Sequence, residues 1–332
     1  MNVAFLGASK ILNKVIEIFN NYKDKFTLYG ISSRDIERSK EYAQKYNILN
    51  VYNNYLEMVQ DPNIDLVYIS TTTNLHYEHM KLCLENNKNV IVEKSFTTNY
   101  KDTLEVINLA KSKNLFLEEA IWTRFMPSRE FITQILNLGI IGEPYLIEAN
   151  LGYDIKNVER LQKPELGGGA LLDVGVYPIN FIDMFARAIE KDNEVIKTDV
   201  TAKMNGLGVD QTVSGCLTYK NGIIGNFFAT MNNLTSREGF IYCKDGFIKV
   251  ININNPERVE VYQKDANDGH KLNLVSSLEI KNDVNGYEYE FLEAYVSIKS
   301  NQIETKSMPL SDTLRIMKIQ DEILRIIGSK VE

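Results

Sequence analysis

Within the first 120 residues, short apolar runs alternate with segments of helical period, and this alternation constrains the fold more than any other feature. The runs are Asn2 to Leu6, Phe26 to Ser32, Leu66 to Ser70, Val90 to Val92 and Leu115 to Glu118. Strands joined by helices of about 10–15 residues pair in parallel, through right-handed crossovers. The expected architecture is α/β, with a doubly wound parallel sheet. Strands of such sheets point their carboxyl ends at the ligand crevice. The run Val90-Ile-Val-Glu-Lys-Ser95 ends there in two charges, Glu93 and Lys94. A lysine in that place can meet a cofactor on one side and a substrate on the other. Residue type alone balances this against a solvated Glu-Lys pair.

The first run leads into Gly7-Ala-Ser-Lys-Ile-Leu12 and then a helical pattern through Phe19. Strand, glycine turn and helix form a frame that holds a pyrophosphate on a helix N-terminus, so Gly7, Ala8, Ser9, Lys10 and Ile11 are candidate contacts. Of the three glycines in a GxGxxG loop only Gly7 is present; Ser9 and Leu12 hold the other places. After the second run, Ser33-Arg34 stands where NAD-preferring sites place an acid. A hydroxyl and an arginine fork suit a 2′-phosphate, which favours NADP(H) and leaves NAD(H) open. The alternative is that Ser33 caps the next helix and Arg34 is solvated. Thr71, Thr72, Asn74 and His76, after the third run, fit contacts to phosphate, ribose or nicotinamide, and equally an ordinary helix cap.

The pattern changes after Glu119. A segment with Trp122 and Arg124 leads to a helix, Pro127 to Leu138, and a strand, Tyr145 to Tyr153. Gly167-Gly-Gly-Ala170 then enters a helix carrying Asp173 and Tyr177, whose i, i+4 spacing puts them on one face. The glycines let backbone approach a ligand, or simply make a turn. From Val195 to Val261 the period is near two, with hairpin signals at Lys220-Asn-Gly222 and Lys244-Asp-Gly246. This describes an open, largely antiparallel sheet. Two helices close the chain, Tyr287 to Ile298 and Ser311 to Ile327. The expected division is residues 1–119, an NAD(P)-binding domain on which helix 311–328 packs, and residues 120–310, a substrate and dimerisation domain.

Net charge is -7 and no basic run occurs, which argues against nucleic acid. No apolar run reaches the roughly 18 residues of a membrane span. Cys83, Cys216 and Cys243 form no CxxC and suit a reducing, cytoplasmic setting. His76 and His79 share a helix, but no ligand frame accompanies them, so no metal is expected.

At Glu93-Lys94, at Ala120-Ile-Trp-Thr-Arg-Phe-Met-Pro127 and at Gly167 to Tyr177 the chain resembles the glucose–fructose oxidoreductase, inositol dehydrogenase and MocA family (Gfo/Idh/MocA) along its whole length. Its Trp-Thr-Arg-Phe segment is most similar to the dimeric dihydrodiol dehydrogenase and NADP-dependent D-xylose dehydrogenase branch. The resemblance implies a Rossmann domain followed by an α/β domain with an open sheet, and an NAD(P) cofactor. It assigns the catalytic lysine to Lys94, the helix aspartate to Asp173 and the tyrosine to Tyr177. It places Glu93 in the Glu-Lys-Pro motif, His76 at the cofactor, and Trp122 and Arg124 on the nicotinamide side. It also implies homodimers through the sheet. Ser95 and Thr72 stand where the family commonly has proline.

The implied activity is hydride transfer between nicotinamide and a hydroxyl or keto carbon of a sugar or cyclic diol. Tyr177 would take the hydroxyl proton, since a phenol near pKa ~10 serves as a base at neutral pH beside a cation. Lys94 supplies that cation, or carries the proton itself. The alternatives are a silent nucleotide-sensing or co-regulator protein of the same fold, and a bound NAD that acts as a transient oxidant.

Overall fold

A computed structural model describes residues 1–331. The chain forms two compact units: Met1–Trp122 with Asn282–Met317, and Thr123–Lys281 with the chain from Lys318 onward.

The first unit runs β1 (Asn2–Leu6), α1 (Leu12–Asn21), β2 (Thr27–Ser32), α2 (Ile36–Tyr46), β3 (Asn50–Val51), α3 (Tyr55–Gln60), β4 (Leu66–Ile69), α4 (His76–Glu85), β5 (Asn89–Glu93), α5 (Tyr100–Lys113) and β6 (Leu117–Ala120). All six strands pair in parallel, in the order β3-β2-β1-β4-β5-β6. The strands are apolar on both sides because both sheet faces are covered. Ala4 and Leu6 of β1 point one way, with Val67, Ile69, Val90 and Val92, onto Met80 and Leu84 of α4 and Val106 and Ala110 of α5. Phe5 points the other way, edge-on to Phe19 and Tyr68.

Two placements differ from expectation. The last strand starts at Leu117, not Leu115. Asn114 turns left-handed (φ 54°) at the end of α5, and the Leu115 amide still bonds back to Ala110. The segment 282–310, expected with the second domain, clusters with the first unit. There α8 (Glu288–Lys299) seats Phe291 against Phe19, Phe26 and Tyr68. The final helix, α9 (Leu310–Ile326), contributes Leu310 to the first unit's core and its later turns to the second unit.

The second unit begins with α6 (Pro127–Leu138) and β7 (Pro144–Gly152). Then α7 (Val176–Ala186) precedes β8 (Val195–Met204), β9 (Asp210–Tyr219), β10 (Ile224–Thr230), β11 (Gly239–Cys243), β12 (Gly246–Ile251), β13 (Arg258–Lys264) and β14 (Leu272–Glu279). The eight-stranded sheet is antiparallel except where β10 meets β7. Both hairpin signals fall where expected, at β9–β10 and β11–β12. The stretch Pro164–Ala186 is apolar and long enough for a membrane span by composition, and it is buried inside the protein. An open groove of about 710 Å³, lined by Glu148, Asn150, Cys216, Asn226, Phe228 and Phe240, runs over the sheet.

Candidate functional site

The turn after β1 is tight because Gly7 takes φ 103°. A Cβ there would stand 3.1 Å from Thr71 Cγ2 and 3.3 Å from the Ser70 carbonyl carbon, so the end of β4 closes on the turn. The Ser9 hydroxyl oxygen is buried beside it with no hydrogen-bond partner among the described residues. A narrow backbone cradle with an orphaned hydroxyl at the start of a helix fits a pyrophosphate. Ala8, Lys10 and Ile11 complete the turn that leads into α1.

At the end of β2, Ser33 is not available to a ligand. Its hydroxyl donates to the Asp35 carbonyl at 2.6 Å and lies 2.7 Å from the Ser39 hydroxyl. The cap of α2 is Asp35, which accepts from the amides of Glu37 and Arg38. Arg34 is exposed, as is Arg38 one turn on. Any 2′-phosphate contact therefore rests on arginines alone.

The loop after β4 is likewise self-bonded. Thr71 Oγ1 lies 2.9 Å from His79 Nδ1, and Thr72 Oγ1 donates to Asn74 Oδ1 at 2.7 Å. His76 is expected at the cofactor, but its ring clamps two loops: Nδ1 is 2.9 Å from the Ser95 carbonyl and Nε2 is 3.2 Å from that of Thr71. Burial pushes its pKa down to about 4, so the ring is neutral at pH 7. His76 thus fixes the backbone that follows Lys94.

Lys94 is half-buried, one residue beyond β5. The Lys94–Ser95 peptide is cis. The Phe96 amide donates to Glu119 Oε1 at 3.2 Å. On the other side, the buried Tyr68 hydroxyl donates to Glu93 Oε1. Behind these lie two fully buried carboxyls, Glu118 on β6 and Glu290 on α8. Desolvation holds both well above the ordinary carboxylate range; the charge of Glu293 adds to this at Glu118, and those of Glu118 and Glu93 add to it at Glu290.

A raised folded pKa favours the protonated form. Its stability contribution is complete below the unfolded value of 4.5 and is lost as pH rises toward the folded value. Glutamine cannot titrate, so Glu118→Gln is expected to match wild type near pH 4.5 and to gain stability with pH, reaching at most about 3 kcal/mol at pH 7. Urea midpoints at pH 5 and pH 8 check this; an equal difference at both would show that Glu118 ionises freely in the fold.

Trp122 ends the first unit. Its ring stacks on Tyr287, with centroids 4.2 Å apart and planes at 3°. Arg124 is placed differently from a nicotinamide contact. It is 2% exposed inside the second unit, where Nε donates to Asn180 Oδ1 at 2.8 Å and NH2 lies 3.4 Å from Asp183 Oδ2. Arg124 therefore ties the segment before α6 to α7.

Asp173 and Tyr177 lie on adjoining pieces of helix. Leu171–Gly175 is a π-turn, and α7 continues from Val176. The one-face expectation assumed α spacing throughout, and a π-turn bonds i→i+5 instead. Asp173 accepts from Arg160 NH2 at 2.9 Å. The glycines before this helix serve the scaffold. A Cβ on Gly168 would stand 2.7–2.9 Å from the carbonyl oxygens of Leu161, Lys163 and Arg160, and one on Gly169 would stand 2.3 Å from Asp210 Oδ1. Sequence reading does not find Asp210: it acts on a residue 39 positions earlier, and no local motif marks it. No group of three or more His, Cys, Asp or Glu able to hold a metal occurs among the described residues.

Comparison with known proteins agrees with this fold. The Gfo/Idh/MocA model for an oxidoreductase family with an NAD-binding Rossmann fold matches residues 1–120, and the Gfo/Idh/MocA C-terminal domain model matches residues 131–249. Trans-1,2-dihydrobenzene-1,2-diol dehydrogenase of Xenopus laevis is 32% identical over 304 residues, covering 90% of this chain and 89% of its own. The Mus musculus protein of that name is 29% identical over 303 residues, covering 90% and 88%. A 3-ketoreductase from Actinomadura kijaniata, solved with NADP and TDP-benzene, superposes with a TM-score of 0.83 at 19% identity, over 97% of this chain and 96% of its own. Levoglucosan dehydrogenase, solved with NADH and levoglucosan, gives 0.85 at 18% identity, over 99% and 97%. The family models and these relatives define an NAD(P)-dependent oxidoreductase. The chain belongs to the Gfo/Idh/MocA family.

Proposed function

We propose that this oxidoreductase oxidises, or in reverse reduces, a hydroxyl-bearing carbon of a neutral cyclic diol or sugar, and that it prefers NADP(H). The observation that carries the reading is Lys94 at the carboxyl end of β5, on the ligand side of a parallel sheet that also presents the Gly7–Ser9 cradle. The substrate class comes from the likeness to dihydrodiol dehydrogenases along nine-tenths of the chain. The NADP preference rests on Arg34, with Arg38 beside it, in place of an acid at the end of β2. In this reading residues 1–119 hold the cofactor, and Lys94, Asp173 and Tyr177 are the residues that carry the reaction, as the family resemblance implies.

A nicotinamide cofactor held through the Gly7–Ser9 turn would supply the hydride acceptor. We propose that Tyr177 Oη, as the phenolate, takes the proton of the substrate hydroxyl, and that Lys94 Nζ supplies the positive charge that favours this transfer. Asp173, oriented by Arg160, bonds a neighbouring substrate hydroxyl. We further propose that two copies pair through the exposed sheet face bearing Phe228 and Phe240, and that the enzyme is cytoplasmic, as its three free cysteines suit.

Titration with NADPH and NADH, read by quenching of Trp122, tests the cofactor assignment. NADPH is expected to bind at least about tenfold tighter, and Arg34→Ala to remove most of that margin. Tighter NADH binding would overturn the assignment. NADP reduction with trans-cyclohexanediols and with aldopentoses then separates diol from sugar.

A further inference from the structure

The helix that begins at Leu171 lacks a local cap. Ala170, just before it, has helical backbone angles (φ -67°, ψ -34°) and makes no side-chain bond to the first turn. Its capping group comes from another element. Asp210, the first residue of β9, is fully buried, and its Oδ2 accepts from the Leu171 amide at 2.7 Å. Its Oδ1 has no partner among the described residues and faces Gly169, whose φ of 115° and lack of a side chain let the backbone pass. The carbonyl of Leu171 is bonded as well, by Gln320 Nε2 of α9 at 3.5 Å. One residue, two ahead of Asp173, is thus gripped at its amide from β9 and at its carbonyl from α9.

We propose that Asp210 is a positioning residue for the reaction: by capping the helix from outside it sets the place and rotation of Asp173 and Tyr177. The inference rests on the reading that these two residues work at the reacting carbon. An uncapped helix start leaves its first amides without acceptors in a buried setting, and the first turn frays or shifts to satisfy them. Asp173 lies two residues past the cap and Tyr177 six, so a small rotation there displaces both. Misplacement of about 1 Å at a reacting group is enough to cost some 10²-fold in rate.

The role needs an acceptor, not a charge. Burial pushes the Asp210 carboxyl up to about 6, against the opposing pull of the Leu171, Ala170 and Asp210 amides, and no charged side chain contributes to that shift. Charged groups on the segments around it include Asp173 with its partner Arg160, Lys163 and Glu165 ahead of the glycines, Lys203 on β8, and Lys330, whose stem lies against Gly208. An asparagine amide oxygen can take the same bond.

The test compares Asp210→Asn, Asp210→Ala and Asp210→Ser with Tyr177→Phe, following NADP-linked diol oxidation, NADPH binding and hydrogen exchange of the amides from Leu171 to Tyr177. Asp210→Asn is expected to keep kcat within about threefold and to retain slow exchange. Asp210→Ala is expected to lose about 30- to 100-fold in kcat, with NADPH affinity within about twofold and faster exchange confined to the first turns of the helix. If the alanine variant does not fold, the serine variant, whose hydroxyl is too short for the Leu171 amide, carries the same expectation. Unchanged kcat and exchange in a folded alanine or serine variant would overturn the proposal, as would equal losses in asparagine and alanine. If Tyr177→Phe stays fully active, the assignment of Tyr177 falls; the exchange result still reports separately whether Asp210 holds the helix.

Discussion

Lys94→Met is expected to lower kcat by about 10²–10⁴-fold and to leave NADPH affinity within about threefold. The backbone that presents Lys94 is held by other groups. The Phe96 amide is held by Glu119, the Ser95 carbonyl by His76, and β5 is paired on both edges by β4 and β6. Methionine matches the lysine stem in length and removes only the charge and its donors. The loss therefore reports on transition-state stabilisation and not on folding. Single-turnover rates with saturating NADP and a cyclic diol, beside a thermal melt, make the measurement. Turnover within about threefold of wild type in a folded Lys94→Met protein would sink both proposed proton routes, because each requires the Lys94 amino group, as cation or as proton carrier. A large loss leaves the routes to be separated by Tyr177→Phe: a comparable loss supports the tyrosine as proton carrier, and near-full activity makes Lys94 the carrier.

Much of this was legible in the residues, and the reasons are physical. The parallel sheet could be read because strands buried on both faces must be apolar throughout, and helices must separate them. The two-residue β3 and the short α3 escape that reading, since neither is long enough to show a period. The hairpins at Gly222 and Gly246 are visible because tight turns demand particular residues. β14 is missed because its side chains are mostly exposed and so carry no burial pattern. The site divides along the same line. Lys94 and Gly7 are marked by their places at strand ends. Ser33, His76 and Arg124 have residue types that suit a ligand, yet each finds a partner inside the fold: Ser39, the Ser95 carbonyl, and Asn180 with Asp183. Residue type states what a side chain is able to bond. Which bond forms depends on elements far away in sequence, and Asp210 shows this from the other side.

Gly169→Ala is expected to destabilise the second unit by about 3–5 kcal/mol. Two separate terms add. A non-glycine residue at φ 115° is strained wherever it sits. The new methyl would also lie 2.3 Å from Asp210 Oδ1, in a buried place where neither group has room to withdraw. Gly222 separates the terms: it has φ 91° in the β9–β10 turn and no atom within 4 Å of its Cβ position, so Gly222→Ala bears the strain alone, about 1–2 kcal/mol. Urea unfolding of the two alanine variants gives the comparison. If Gly169→Ala is no worse than Gly222→Ala, the tight contact between the glycine segment and Asp210 does not exist in solution. Adding Asp210→Ala to Gly169→Ala removes the clash and keeps the strain, so the double variant is expected to show coupling of about 1–3 kcal/mol. That coupling would tie the glycine run to its cap by measurement. The run then belongs to the sequence because a carboxyl must come close enough to hold the helix that bears Asp173 and Tyr177.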